Sequence, residues 1–205
     1  MAAVILICIS YLIGSIPFGY LIVRAKVRDD VRESGSGGTG ATNVTRRAGK
    51  LAGLVTLLLD AAKGAVAIAL VKWVLGSHEA SLVVALSGIA AVVGHCFPVW
   101  LGFRGGKGVS TAVGASLFLA PWCLIAAALI FIALVSATRY VSLGSLVATI
   151  AFPLLILTQN YLIMPINGLR YVMLAAVGTG LIIIVRHQAN IERLLRGTES
   201  KITRR

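Results

Sequence analysis

Three short polar segments, separated by long apolar blocks, hold the residues of this 205-residue chain that could bind or react with a substrate. The first segment, at 34–47, reads Ser-Gly-Ser-Gly-Gly-Thr-Gly-Ala-Thr-Asn-Val-Thr-Arg-Arg. Its four clustered glycines allow tight turns that point successive backbone N–H groups at one spot, an arrangement that binds anions. Side-chain donors are added by Ser36, Thr39, Thr42, Asn43 and Arg46. The segment therefore predicts a phosphate-binding loop.

Two other interpretations fit this first segment less well. Gly35, Gly37 and Gly40 match the G-x-G-x-x-G spacing of dinucleotide-binding loops. That fingerprint needs a preceding strand, however, and here an apolar helical block precedes it. A flexible linker between two helices is the other alternative, yet linkers seldom carry an ordered run of Thr, Asn and Arg.

The second segment, at 102–110, reads Gly-Phe-Arg-Gly-Gly-Lys-Gly-Val-Ser and resembles a nucleotide P-loop without matching it. Leu101 stands where the first P-loop glycine is needed, and Gly108 replaces the hydroxyl residue that binds magnesium. What remains is Arg104 and Lys107 on a glycine-rich turn that opens the next apolar block, where a helix N-terminus favours negative charge. An ordinary positively charged loop does not require these glycines. We therefore predict a second anion site, without nucleotide or metal.

The third segment, at 186–199, follows the last apolar block. His187 and Asn190 are three residues apart and would share one helix face, where His187 could donate to a phosphate or polyol oxygen. Taken alone, the segment is better explained as a basic tail at the lipid surface.

Two further groups of polar residues allow two interpretations each. Ser142 and Ser145 could be substrate ligands or could cap a helix. Asp60 and Lys63 lie inside an apolar block, where charges are costly unless they are paired or face water. A structural pair is the simpler interpretation, although Lys63 could also face the site. The three cysteines form no CxxC motif, so they indicate neither a zinc site nor a disulfide framework.

The elements that must position these segments are apolar blocks at 3–23, 51–75, 81–102, 110–137, 145–164 and 170–186. The chain is 58% hydrophobic and 13% charged, whereas soluble domains are about 25% charged. Because about 20 helical residues cross a bilayer, the blocks predict an all-α, polytopic membrane helix bundle, a single domain over 1–205. In such a bundle the net charge of +12 indicates membrane lipid or a phosphorylated substrate and no nucleic acid. The first block is too long for a signal-peptide core of about 7–15 residues, so we expect a retained helix.

The block at 110–137 decides the topology. Pro121 lies near its middle, so the block is one long tilted helix or two short helices that meet at Ala120-Pro121. Most basic residues, 16 of 19, lie in 24–50, 104–107, Arg139 and 186–205, while the loops at Gly76–Ala80 and Pro165–Leu169 carry almost none. Only a split block puts all 16 on one face, as the positive-inside rule requires. We predict seven transmembrane segments, with the N-terminus outside and the C-terminus cytoplasmic.

The two halves of the split block would have about 13 residues each and reach ~20 Å at the rise of an α-helix. Because that length does not cross a bilayer fully, we expect them to form one short, hairpin-like pair.

The three polar segments together resemble a known family. The runs Ser-Gly-Ser-Gly…Gly-Ala-Thr-Asn-Val at 34–44, Gly-His…Pro-Val…Gly-Phe-Arg-Gly-Gly-Lys-Gly-Val at 94–109 and Arg-His…Asn-Ile…Arg-Leu-Leu-Arg-Gly-Thr-Glu at 186–199 occur in that order. They are similar to the motifs of the bacterial acyl-phosphate:glycerol-3-phosphate acyltransferases, and the resemblance covers nearly the whole chain. Gly38 stands where that family usually has Asn, and Arg104 stands where Lys is common.

The resemblance implies a seven-helix enzyme of the bacterial inner membrane with its active site at the cytoplasmic face. Such an enzyme moves a fatty acyl group from acyl phosphate to the sn-1 hydroxyl of glycerol 3-phosphate, the first acylation of phospholipid synthesis. The products are lysophosphatidate and inorganic phosphate. The family needs no cofactor and uses neither acyl carrier protein nor coenzyme A as direct donor.

The resemblance also implies a role for each polar segment. The acyl phosphate head would be held by Ser36, Gly37, Thr39, Gly40, Thr42 and Asn43. Glycerol 3-phosphate would be held by Arg46, Lys107, His187 and Asn190, with Ser142 or Ser145 nearby and Arg104 adding positive charge. Arg46, Lys107 and His187 are the candidate catalytic residues. His187 is a candidate general base, but we favour the phosphate of the substrate as the proton acceptor, without a covalent acyl-enzyme.

A transporter for a phosphorylated solute is the main alternative from another functional class. It would predict polar residues along the helices and two related halves with broken segments. This sequence places its polar residues at one face and shows no convincing internal repeat. A scaffold bound to anionic lipid would leave the ordered glycine motifs unexplained.

Overall fold

The computed structural model describes residues 1–76 and 81–202, and within these ranges it contains helices and no strand. The helices in chain order are α1 (Ala2–Ser15), α2 (Phe18–Val27), α3 (Ala41–Ala48), α4 (Lys50–Leu75), α5 (Leu82–Cys96), α6 (Val109–Ser116), α7 (Pro121–Thr138), α8 (Val141–Thr158), α9 (Leu169–Arg186) and α10 (Gln188–Leu195). Short 3₁₀ turns lie at Val31–Glu33 and Val99–Leu101, and a π-helical turn at Gln159–Ile163 extends α8.

Six helical stretches of the described chain are long and apolar enough to cross a membrane. They are Ala2–Val27, Lys50–Leu75, Leu82–Leu101, Pro121–Thr138, Val141–Ile163 and Leu169–Arg186. Large apolar side chains such as Trp73, Trp122 and Leu162 are exposed on their outer surfaces, as expected where the surrounding solvent is lipid. The predicted all-α membrane bundle is confirmed. Part of the weakly charged loop predicted after α4, residues 77–80, lies outside the described residues.

The first apolar block is broken by Pro17, although a single helix was expected over 3–23. Proline has no backbone N–H and cannot continue the hydrogen-bond ladder, so α1 ends at Ser15 and α2 begins at Phe18. At the break the Ile16 carbonyl accepts from the Phe18 N–H at 3.1 Å and from the Lys63 side chain of α4 at 2.9 Å. A buried lysine therefore contacts the backbone at this break.

The block at 110–137 splits at Ala120-Pro121, as predicted, but not into two short halves. The first part, α6, has only 8 residues, whereas α7 has 18 and is long enough to cross a membrane alone. Pro121 is the first residue of α7, the helical position at which its missing N–H costs nothing. The expectation of two halves of similar length is therefore wrong.

The short helix α6 packs along α4 through two glycines. Gly64 lies against the backbone of Thr111, and Gly114 lies against the backbone of Ala61, so a Cβ at either glycine would overlap main-chain atoms. Beyond α6, the Lys72 Nζ donates to the Phe118 carbonyl at 2.9 Å. The contacts of Gly64 with Thr111 and of Lys72 with Phe118 indicate that residues 109–118 run in the same direction as α4. The count of seven crossings stays a prediction, because α6 is too short to span a bilayer by itself.

We expect Gly114→Ala to lower the free energy of unfolding by about 1–3 kcal/mol, the usual cost of overpacking. The added Cβ would overlap the Ala61 carbonyl of α4. Gly88→Ala in α5 is the matched control, because the new Cβ there would meet only the Ile68 and Ala115 side chains at 3.4 and 3.9 Å. Thermal unfolding in detergent micelles measures both variants. Equal unfolding temperatures would contradict the packing described for α4 and α6.

Candidate active site

One cavity of about 150 Å³ brings the three polar segments together at one end of the bundle. Ten of the predicted site residues line it, namely Ser36, Gly40, Thr42, Asn43, Arg46, Lys107, Ser142, Ser145, His187 and Asn190. Residues from α3, α6, α8 and α10 thus contribute to a single site. The starts of α6 and α8 lie at this same end of the bundle. This is the arrangement that a split at Pro121 predicts.

The first polar segment is a loop that Asn43 holds in shape. The Asn43 Nδ2 lies 2.7 Å from the Val31 carbonyl, 3.0 Å from that of Ser34 and 2.9 Å from that of Gly38. Its Oδ1 accepts from the backbone N–H of Ser36 at 3.2 Å. With 2% of its surface exposed, Asn43 uses its hydrogen-bonding groups inside the loop, and its predicted contact with substrate stays a prediction.

Two helix N-termini open onto the cavity. The loop ends at Gly40, where α3 begins without a side-chain cap, and α6 begins at Gly108, also without one. Ala41 and Thr42 of the first turn of α3, and Val109 of α6, line the cavity. The uncapped N–H groups of a helix start carry partial positive charge and bind anions. The cavity therefore offers two separate backbone sites for negative charge.

Lys107 is placed by a loop whose backbone is fixed from two sides. The N–H groups of Gly105 and Gly106 donate to the carbonyls of Cys96 and His95, each at 3.1 Å. From the opposite side the Arg186 guanidinium donates to the Gly106 carbonyl at 3.2 Å. These contacts hold the glycine-rich turn between α5 and α9, so the position of the lysine is determined by main-chain hydrogen bonds.

The Lys107 ammonium reaches the third segment, where its Nζ donates to the Asn190 Oδ1 at 2.5 Å. Burial of the side chain lowers the Lys107 pKa to about 8, because the charged form loses hydration. An arriving anion would stabilise that charged form.

His187 lies at the junction of α9 and α10 and lines the cavity. Its Nδ1 lies 2.8 Å from the Ile183 carbonyl, and since a carbonyl only accepts, the Nδ1 carries the proton and the Nε2 is the free acceptor. Burial, together with the nearby charge of Lys107, lowers the His187 pKa to about 4. The imidazole is therefore neutral at neutral pH and is a weak base.

Glu199 is a cavity residue that the sequence analysis did not select. Its Oε1 accepts from the Ser142 Oγ at 2.8 Å and from the Asn190 Nδ2 at 2.7 Å, while its Oε2 accepts from the Arg193 Nε at 2.7 Å. Burial raises its pKa, but hydrogen bonds from Arg193, Asn190 and Ser142 outweigh this and lower the pKa below the ordinary value. The signal available in the sequence was its place as an acidic residue at the end of the third, basic motif.

The carboxylate of Glu199 fixes the orientation of Asn190. Because a carboxylate only accepts, the Asn190 amide must turn its NH₂ toward Glu199. Its carbonyl then faces Lys107, which explains the short contact between those two residues. Glu199 and Ser200 of the tail thus form part of the cavity wall, and the Ser200 carbonyl lies 3.5 Å from the Arg46 guanidinium.

The two serines of α8 do not cap that helix. The residue before α8 is Tyr140, and no side chain caps the helix start. Ser142 and Ser145 are buried inside the first turns and line the cavity. The capping interpretation is therefore wrong, and the interpretation as ligands stays a prediction.

Three predicted site residues do not line the cavity. Arg104 is exposed on the second loop. Thr39 is buried, with its carbonyl against Gly19. Gly37 is exposed and has a φ of +67°, so it shapes the turn of the first loop. Their predicted contacts with substrate have no support in the geometry.

The wall of the cavity that faces the membrane is apolar. Leu57 of α4, Phe131 of α7 and Val141 of α8 line it. Leu57 is 44% exposed on the outer surface of the bundle. The site therefore joins a cationic pocket to the lipid-facing surface, an arrangement suited to a phosphate group that carries a hydrocarbon chain.

Comparisons with known proteins agree with this combination. The chain matches the family model described as glycerol-3-phosphate acyltransferase over residues 4–197. A glycerol-3-phosphate acyltransferase of Anaeromyxobacter sp. (strain Fw109-5) is 44% identical over 97% of this chain and 95% of the relative. One of Synechococcus sp. (strain CC9902) is 45% identical over 98% of this chain and 96% of the relative.

Two solved structures share the fold. The crystal structure of PlsY (YgiH), an integral membrane glycerol 3-phosphate acyltransferase, in its glycerol 3-phosphate form has a TM-score of 0.88 and 39% identity, covering 99% of this chain and 96% of that one. Its lysophosphatidic acid form has a TM-score of 0.86 and 37% identity over the same shares.

We expect Glu199→Gln to lower the free energy of unfolding by about 1–3 kcal/mol, because the buried donors Ser142 and Asn190 and the partly exposed Arg193 lose a charged acceptor. Since the folded-state pKa of Glu199 is lowered, its contribution is present at neutral pH and is lost as pH falls through that pKa. Glu192→Gln, an exposed change on α10, is the control. Thermal unfolding at pH 7 and at pH 3 should show a larger difference between parent and variant at pH 7 than at pH 3. An equal difference at both values would contradict the role assigned to the carboxylate.

Proposed function

The chain belongs to the glycerol-3-phosphate acyltransferase family, and from that premise we propose that it transfers a fatty acyl group from acyl phosphate to the sn-1 hydroxyl of glycerol 3-phosphate. The products would be lysophosphatidate and inorganic phosphate. One observation carries the proposal: a single cavity combines two uncapped helix starts, two cationic side chains and an apolar wall. Two phosphate groups and one acyl chain are the ligands that this set of groups fits.

The acceptor fits the side of the cavity formed by α6, α8 and α10. Lys107 supplies positive charge there, while Ser142 and Asn190 supply shorter polar groups suited to a polyol. Arg46 belongs to α3 on the other side, but its guanidinium reaches to within 3.5 Å of the Ser200 carbonyl of the tail and adds a second positive charge. The similar PlsY structures in glycerol 3-phosphate and lysophosphatidic acid forms support this choice of acceptor and product. Glycerol 3-phosphate would bind with its phosphate against the two cations and its sn-1 hydroxyl toward α3.

The donor fits the side formed by the first loop and α3. Backbone N–H groups after Gly40 and the hydroxyls of Ser36 and Thr42 are available to its phosphate head. Its acyl chain would pass between Leu57 and Phe131 into the surrounding lipid. This placement directs the two negatively charged phosphates to opposite walls and brings the carbonyl carbon to the middle.

The transfer itself needs little chemistry from the protein. Acyl phosphate is a mixed anhydride, so attack of the sn-1 oxygen on its carbonyl carbon breaks the bond to the phosphate oxygen, and phosphate leaves with the bonding electrons. The hydroxyl proton must go to a base. His187 is a poor one, because its pKa is lowered to about 4. A phosphate oxygen of the substrate is therefore the proton acceptor in this mechanism, and no covalent acyl-enzyme forms.

Positioning is the main contribution of the site. Holding two reactants in the reactive orientation can lower a barrier by about 7–11 kcal/mol. Backbone N–H groups at the helix starts can also stabilise the oxyanion that develops on the carbonyl oxygen. The residues whose loss should matter most are therefore those that hold the phosphates, Arg46 and Lys107.

The location that we propose is the bacterial inner membrane, with the cavity on the cytoplasmic face and the N-terminus outside. The support is the concentration of basic residues at the end of the bundle where the cavity lies, since positively charged loops remain in the cytoplasm.

The donor is tested by incubating the purified protein with glycerol 3-phosphate and either acyl phosphate or acyl-coenzyme A. We expect lysophosphatidate and stoichiometric inorganic phosphate from acyl phosphate only, because the donor side of the cavity offers an anion site for a simple phosphate head. Chromatography of the lipid products and a phosphate assay measure the two products. Product from acyl-coenzyme A at a comparable rate, or none from intact acyl phosphate, would refute the proposed donor.

We expect Lys107→Ala to abolish measurable turnover while the protein still folds, and Arg46→Ala to do the same, because each removes a charged donor worth about 1.5–3 kcal/mol and disturbs the alignment of the acceptor. Arg196→Ala, an exposed change at the end of α10, should retain activity. Turnover and thermal unfolding together separate lost function from lost structure.

Lys107→Arg makes the same role testable by pH. In the parent the Lys107 pKa is about 8, so its positive charge is lost as pH rises through that value, and the KM for glycerol 3-phosphate should rise above pH 8. A guanidinium stays protonated, so the rise should disappear in the arginine variant. A rise of the same size in both proteins would show that another group titrates.

A further inference from the structure

Three titratable side chains lie inside the bundle and take no part in the mechanism described above. Asp60 and Lys63 of α4 and His95 of α5 are 1%, 4% and 5% exposed. Charged groups at this depth in a membrane bundle are costly unless they are paired. The sequence predicts a structural pair of Asp60 and Lys63, or a Lys63 that faces the site, and does not predict the contact with His95.

Lys63 connects the cluster to the break in the first helix pair. Its Nζ lies 2.8 Å from the Asp60 Oδ1 and donates to the Ile16 carbonyl at 2.9 Å. It also lies 5.9 Å from the centre of the Phe18 ring. The ammonium thus has partners on both sides of Pro17, and it anchors the carboxylate at a fixed place between α1 and α4.

His95 connects the carboxylate to the active site. Its Nδ1 lies 3.5 Å from the Asp60 Oδ1, and the residue lines the cavity. The imidazole lies directly under Gly106, so that a Cβ added to this glycine would overlap the His95 Nε2. The His95 carbonyl also accepts from the Gly106 N–H at 3.1 Å. Gly106 is the residue before Lys107, so the ring supports the turn that carries the catalytic cation.

The carboxylate decides which ring nitrogen carries the proton. Its negative charge, 3.5 Å from the Nδ1, favours the proton on that nitrogen, which leaves the Nε2 bare toward Gly106. The Nε2 is also the ring atom nearest to the place that a Cβ on Gly106 would take, so this edge of the ring packs against the glycine. A change in the charge of Asp60 would therefore change the protonation of the ring edge against which Gly106 packs.

We propose that Asp60, held by Lys63, orients His95, and that the His95 ring sets the position of the Gly105–Lys107 turn for binding the phosphate of glycerol 3-phosphate. These are positioning residues, since none of them needs to contact the reacting atoms. The inference rests on the proposed function, in that Lys107 is taken to hold the acceptor. It differs from a purely structural role because it predicts a specific effect on one of the two substrates.

The decisive variant is the double change Asp60→Asn with Lys63→Gln. Either single change would leave an unpaired buried charge and destabilise the fold, whereas the double change removes both charges and keeps the size and the hydrogen-bonding capacity of the pair. We expect an unfolding temperature close to that of the parent and a KM for glycerol 3-phosphate at least tenfold higher. The KM for acyl phosphate should change by less than twofold. Thr56→Val, an isosteric buried change on α4, should leave both KM values unchanged.

A second pair of variants tests the same proposal if the double change unfolds the protein. His95→Asn retains an N–H that can reach Asp60 but removes the ring edge beneath Gly106. It should raise the KM for glycerol 3-phosphate in a folded protein. Gly106→Ala should be strongly harmful in the parent, where its Cβ overlaps the ring, and clearly less harmful in the His95→Asn background. Such coupling is measured by a double-mutant cycle.

The outcomes separate this inference from the proposed function. An unchanged KM for glycerol 3-phosphate in a stable Asp60→Asn, Lys63→Gln double variant would overturn the inference and leave a structural pair. Equal effects of Gly106→Ala in both backgrounds would also overturn it. Calorimetric binding of glycerol 3-phosphate to parent and variants gives the same comparison without turnover. If the parent bound glycerol 3-phosphate but made no lysophosphatidate from acyl phosphate, the proposed reaction would fail while the positioning claim would still be decided by binding.

Discussion

The positively charged side chains around the cavity need a counter-charge before any substrate binds. Among the described residues that line the cavity, Glu199 is the carboxylate that supplies it. Arg193, Arg46 and Arg186 all lie close enough to Lys107 to add to the lowering of its pKa by burial, while Glu199 opposes them. Without a counter-charge these groups would repel each other in a site of low dielectric constant. The carboxylate also joins α8 to α10 through Ser142 and Asn190. A bound substrate phosphate would also neutralise these positive charges, at a position next to this carboxylate.

The bundle reaches this arrangement by close contact of helix backbones. Lipid supplies no hydrophobic force between helices, so small residues that allow close approach are used in its place. Gly64 and Gly114 bring α6 against α4, and Gly14 and Gly94 bring α5 against α1. The start of α6 lies at the cavity, so the positive end of this helix faces the site. A longer, regular helix at this place would not need the break at Pro121, and the basic segments would then fall on two faces.

Features of the fold that follow from composition were predictable. Long apolar blocks predict helices, a proline in the middle of one predicts a break, and the one-sided charge predicts that the polar segments meet. The lengths of α6 and α7 were not predictable, because both are apolar and only packing against α4 decides where the first one ends. The break at Pro17 was overlooked because the surrounding residues are apolar on both sides. For the site, residue type alone indicated Lys107 and Arg46, because each positive charge needs an anionic partner. It could not show that Asn43 is occupied within its own loop or that Glu199 belongs to the wall, since both depend on which donors and acceptors meet after folding.

The central claim is that one cavity holds two phosphates at once, on opposite walls. The most direct measurement is calorimetric titration of glycerol 3-phosphate into protein already saturated with a non-hydrolysable acyl phosphonate. We expect glycerol 3-phosphate still to bind with one-to-one stoichiometry, with an affinity equal to or higher than in the absence of the phosphonate. Displacement of one ligand by the other, with an affinity that falls in proportion to the phosphonate concentration, would contradict it.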